Sequence, residues 1–172
     1  MKKFGLILAI CLLALTGGSG VARAAGLTMT QTAAIRANCH SALTSLQQIS
    51  RADAAGRINR GRGYDDILKL MYAFNARVAA NKISAPTLSQ LTDRAEKATD
   101  HFRADYDDYE SDLENVLGKD CGDDPAGFYD QLETARAGRA KVHSDIGAID
   151  QIIRDYDAAA KAISPSEADD GD

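Results

Sequence analysis

At 172 residues the chain is the size of one domain, and its formal net charge of −5, with 25 acidic against 20 basic residues, argues against nucleic acid and anionic lipid as partners. It has no tryptophan, only three prolines, and much alanine, aspartate and arginine, a profile that favours helices over sheets.

Lys2 and Lys3 precede an apolar run from Phe4 to Leu15, followed by Gly/Ser-rich residues and Ala22-Arg23-Ala24. A positive start, a short apolar core and small residues at a cut site follow the order of an export signal, so residues 1–24 are expected to be removed, with cleavage after Ala24. The apolar run is about 12 residues, well short of the roughly 20 that span a bilayer. Cys11 is not a lipid-attachment cysteine, because Ile10 before it is bulky and the region ahead of it is too short. Removing Lys2, Lys3 and Arg23 leaves 17 basic against 25 acidic residues, a net charge near −8. The mature chain then holds two cysteines, Cys39 and Cys121, and outside the cytoplasm such a pair reads as a disulfide. Closing a loop of roughly 80 residues stabilises a fold by about 4 kcal/mol in the chain-entropy model.

From Thr30 to Ala52 the residues Ile35, Cys39, Ala42, Leu46 and Ile49 alternate four- and three-residue steps, the repeat of a helix that wraps another. The same spacing continues through Asp53, Gly56, Arg60 and Gly63 before apolar residues return at Ile67, Leu70 and Phe74. Interior glycines cost about 1 kcal/mol each, so a kink or break is expected between Gly56 and Gly63, with helix resuming from Tyr64 to about Asn81. Ser84-Ala85-Pro86-Thr87 reads as a turn and a helix start, with Thr87 and Gln90 spaced as a capping box. Leu88, Leu91, Ala95, Ala98, Phe102, Asp105, Tyr109, Asp112 and Val116 carry the pattern down to Gly118, a natural stop. The longest stripe follows: Phe128, Leu132, Ala135, Arg139, Val142, Ile146, Ile149, Ile153, Tyr156, Ala160 and Ile163. Asp124 can cap that helix, Pro125 supplies the φ favoured at its start, and Ser164-Pro165 ends it. Residues 164–172, rich in Asp and Ser, are expected to form a disordered acidic tail.

The disulfide separates two all-α architectures. In an up-down four-helix bundle, with the first segment folded back at Gly61 to Gly63, Cys39 and Cys121 would lie at opposite ends. In an elongated antiparallel three-helix bundle or coiled coil with a kinked first helix, spanning 25–163, they meet, within the limit of about 7 Å on bridged Cα atoms. The three-helix form is therefore expected. Along Asp120-Cys121, Pro125, Phe128-Tyr129, Ala135-Arg136, Arg139, Asp145, Ile149, Ile153 and Tyr156, the chain resembles a group of small exported helical proteins of ultrasmall, host-attached bacteria. The resemblance covers residues 35 to 160. It implies export and a helical fold, and carries no activity.

Counting residues outward from each turn sets Arg60 beside Tyr109, the run Arg57 to Arg62 beside Asp107 to Asp112, and Arg139 beside Asp105. The polar interruptions of three stripes thus fall at one level. A charge at such a position is costly unless paired. A polar layer is expected, with Arg139 on Asp105 and Arg60 on Tyr109 or Asp112. Its roles are to fix register or, with Arg57, Arg60 and Arg62 lining a pocket, to bind an anion or a partner.

His101 and His143 fall at similar height, but on opposite flanks of their stripes and with no Cys or second His three or four residues away, so no metal site is assigned. The acidic run from Asp105 to Glu110 radiates around a helix and lacks the glycine turn of a calcium loop. No phosphate-binding loop, nucleophile elbow or zinc-peptidase pair occurs, and no cofactor is implied. Leu43, Leu68, Met71, Leu117 and Ile152, beside the stripes, either widen the core or form a dimer face. The expectation is an exported, non-enzymatic interaction module of the periplasm, envelope or exterior, with another protein or a second copy as partner. The alternative is a periplasmic carrier of a small ligand or metal.

Overall fold

The computed structural model describes residues 26–163. The export signal expected at 1–24 and the disordered tail expected at 164–172 lie outside these residues. The described chain forms an all-α, three-helix bundle: α1 Met29–Ala80, α2 Pro86–Leu117 and α3 Pro125–Ile163. None of these helices is long and apolar enough to cross a membrane.

Each boundary has a local cause. α1 starts on a capping box, in which Thr28 Oγ1 accepts the Gln31 N–H at 3.2 Å and Gln31 Oε1 accepts the Thr28 N–H at 2.9 Å. It ends on two turn-closing bonds, Lys82 N–H to Ala79 O at 2.9 Å and Ile83 N–H to Val78 O at 3.1 Å. These place Lys82 at φ 58°, where glycine would be at ease. α2 starts at Pro86 behind Ala85, without a side-chain cap. Thr87 therefore sits inside the helix, and the box expected with Gln90 does not form. Gly118 closes α2 with right-handed φ −81°. Asp124 caps α3, its Oδ1 accepting the Gly127 N–H at 2.9 Å.

The break expected between Gly56 and Gly63 is absent: α1 runs as 52 uninterrupted helical residues, about 78 Å. No described glycine has positive φ. The reason is tertiary. α1 is tied to α2 on both sides of Gly61 and Gly63, by Arg57 to Asp107 and Glu110 and by Asp65 to Arg103, so the lost propensity is offset without a bend.

Cys39 and Cys121 form a disulfide with Cα atoms 5.6 Å apart, and Arg36 Nε donates to Gly122 O at 2.9 Å. Together they fix the start of α1 to the α2–α3 loop. α1 and α3 therefore run in the same direction, with α2 antiparallel between them. The core is built from seven-residue columns: Phe128, Ala135, Val142, Ile149 and Tyr156 on α3, Leu88, Ala95, Phe102, Tyr109 and Val116 on α2, and the shorter Tyr64, Met71 and Val78 on α1. Aromatic rings run edge to face from Tyr64 to Phe102, 5.4 Å between centroids, and on to Tyr106 at 5.5 Å. Met71 and Ile152 are buried and widen the core, whereas Leu70, expected on the α1 stripe, is 70% exposed. α2 and α3 share the most extensive interface, and α1 leans mainly on α2.

Candidate functional site

The polar layer exists, with partners different from those expected. Its centre is Asp53, in the middle of α1, whose side chain is only 18% exposed. Arg139 of α3 grips it with both arms, Nε to Oδ2 at 2.9 Å and Nη2 to Oδ1 at 3.0 Å. The buried Tyr109 of α2 donates its hydroxyl to Asp53 Oδ2 at 2.7 Å, and the Tyr106 hydroxyl donates to the Asp53 carbonyl. One carboxylate thus holds all three helices at one level. Burial first, then the hydrogen bond to Asp53 and its charge, raises the Tyr109 phenol well above its ordinary pKa, so it remains a donor.

The other expected members distribute around this centre. Arg57 pairs with Asp107 and Glu110 and lies 5.9 Å from the Tyr106 ring centroid, covering the layer from the α1–α2 side. Arg60 sits beside Tyr64, not Tyr109, where it partly offsets the burial that raises that phenol's pKa. Arg62 is exposed. Asp112 is half-buried and lies over Gly138 of α3; a Cβ added to Gly138 would stand 3.4 Å from Asp112 Oδ2 and from Tyr109 Cα. Gly138 thus lets α2 and α3 approach closely at this level. Asp105 is not the partner of Arg139. It takes Lys141 Nζ at 2.9 Å, because α3 is displaced by less than a turn from the expected register. Arg139 itself is 46% exposed, so the charge sits at the edge of the layer and not at the bundle axis.

Beyond Asp105, the Oδ2 of Asp145 is buried without a hydrogen-bond partner among the described residues. Burial first, then the neighbouring Asp105 carboxylate, raises the Asp145 pKa, with His101 and Lys141 pulling it back. His101 and His143 are both exposed. Among the described residues no three His, Cys, Asp or Glu side chains are grouped to hold a metal ion. Asp120, in the loop, is occupied by its own backbone, accepting the N–H groups of Gly122 at 2.8 Å and Asp123 at 3.1 Å.

A second polar tie lies nearer the α1–α2 turn. The Tyr156 hydroxyl of α3 is 2.8 Å from Asn75 Oδ1 and 3.0 Å from the Met71 carbonyl of α1, and Asn75 Nδ2 donates to Thr92 Oγ1 of α2 at 2.8 Å. Sequence reasoning missed it. Tyr156 and Thr92 sit in an apolar pattern, and only Asn75, directly after Phe74, signals a polar interior contact. The arrangement at both levels consumes donors and acceptors between helices; it positions helices and presents no nucleophile with its base. No family model matches the chain, and neither a curated protein nor a solved structure matches it.

Proposed function

We propose that the chain is an exported, disulfide-stapled helical rod that acts by binding another protein, in the cell envelope or outside the cell, and not by catalysis. The observation that carries the reading is the Cys39–Cys121 bridge, which joins the start of α1 to the α2–α3 loop across 82 residues of sequence. A bridge of this kind persists in oxidising compartments, in keeping with the basic, apolar and small-residue order of residues 1–24. The Asp53 layer and the Asn75 tie serve as register locks among three similar helices, which wrap one another as a coiled coil. They keep a long surface in one shape for a partner.

Expression with the native leader in a bacterial host, followed by cell fractionation and chemical cross-linking, tests the reading. A processed chain in the periplasm or medium, cross-linked to a defined envelope or secreted protein, supports it. An unprocessed cytoplasmic chain contradicts it. The second reading, a carrier of a small ligand, is favoured by one feature, an apolar hollow between α1 and α3, and predicts a ligand of defined mass in native mass spectra of the purified chain.

A further inference from the structure

We infer that this hollow is a self-association site, in which the Leu70 ridge of one copy seats in the hollow of a second copy, and reciprocally. The inference goes beyond the reading above and does not depend on the compartment or on a foreign partner.

α1 and α3 have the sparsest contact of the three helix pairs. The space between them is about 350 Å³, with Ile67, Met71 and Phe74 of α1 and Ile153 and Tyr156 of α3 in its walls. Leu70 stands on its lip, 70% exposed, the most exposed large apolar side chain within the α1 stretch that packs on the core. Ile67, Leu70 and Phe74 are spaced three and four residues apart, the same spacing that packs the other helices together; Ile67 and Phe74 are half-buried, Phe74 meeting the Tyr156 ring of α3 at 6.4 Å between centroids, and Leu70 between them is left in water. One turn before Ile67, a Cβ added at Gly63 would meet nothing within 4 Å, so another backbone can approach.

A protruding leucine beside an apolar hollow on the same face is self-complementary, the property that a two-fold interface requires. The charges agree with it. Arg77 is on the α1 lip and Asp157 on the α3 lip. Laying the α1 lip of one copy against the α3 lip of another brings unlike charges together, at two places related by the two-fold. Asp157 holds Lys161 at 2.7 Å within its own helix, an exposed pair that is weak enough to be exchanged. A small molecule would fill the hollow but leave Leu70 in water; a second copy covers both.

Sedimentation equilibrium of the oxidised mature chain tests the inference, over a concentration series reaching about 100 µM, where a micromolar dimer is nearly complete. The wild type is expected to dimerise. Leu70→Asp is expected to weaken the dimer at least tenfold with an unchanged melting curve at monomeric concentration. Ala73→Glu, exposed on the same lip, should do the same, so the test survives if one variant folds poorly. Arg77→Glu should weaken association, and Arg77→Glu with Asp157→Arg should restore it. A monomeric wild type, a dimer indifferent to both lip variants, or a monomer that takes up one equivalent of a fatty acid in the hollow would each overturn the assignment.

Discussion

At the residue scale the account turns on Asp53. Its carboxylate accepts from Arg139 and Tyr109 together, and removing it strands a buried phenol and frees a half-exposed guanidinium. Removing Arg139 leaves Asp53 with Tyr109 and an edge open to water. Asp53→Ala should therefore cost about 2 kcal/mol and Arg139→Ala about 1 kcal/mol, read from urea unfolding. Equal costs would mean that the layer is not centred on Asp53. Asp145 gives a pH prediction. Its pKa is raised in the folded state, so the folded chain binds the proton more tightly than the unfolded one. Stability therefore falls as pH rises from the ordinary carboxylate range through the raised value. Asp145→Asn should flatten the melting temperature across that window and raise it by a few degrees at neutral pH. A lower melting temperature at neutral pH would show that His101 and Lys141 outweigh burial.

At the scale of the element, the start of α3 and the stripes of α2 and α3 were legible because they depend on neighbours in the chain, and the number of passes because the cysteine pair limits it. Asp124 with Pro125 marks the start of α3, and the seven-residue columns of α2 and α3 follow the stripes read in advance. What escaped depends on rotation and on contacts across the bundle. A stripe of apolar residues three and four apart fits Leu70 or Met71 equally well, and which turns inward is decided by the facing helices. Asp53 stood out as a polar residue on an apolar stripe, but residue counting relates only helices joined by one turn. Its main partner, Arg139, lies on α3, which runs in the same direction as α1 two turns of chain away. The glycines of α1 were read for their propensity alone. Since α1 is uninterrupted and a Cβ added to Gly61 meets nothing within 4 Å, Gly61→Ala should stabilise the protein by about 0.5–1 kcal/mol. A loss of stability in thermal melts would show that the helix does bend there.

At the scale of the molecule, α1 is held unevenly. Its second half buries Tyr64, Met71 and Val78, whereas the first half places only half-buried Ile35, Cys39, Ala42, Leu43 and Leu46 against the core. The first half therefore depends on its two fastenings, the disulfide at one end and the Asp53 layer at the other. Reduction of the bridge should lower stability by about 4 kcal/mol, since it frees a loop of roughly 80 residues. Amide exchange should then quicken over residues 29–50 before it does over α2 or α3, whose mutual interface is the most extensive. Uniform quickening would mean that the bundle opens as one unit and that the first half has no separate dependence on the bridge.

The direct test of the central claim, three passes with the start of the first helix stapled to the loop between the second and third, is a peptide map of the mature protein digested without reduction. The account predicts one peptide pair joined through Cys39 and Cys121, separated by reductant, in a monomer-mass chain beginning at Ala25. Free thiols at both positions, or a bridge only between chains, would contradict it.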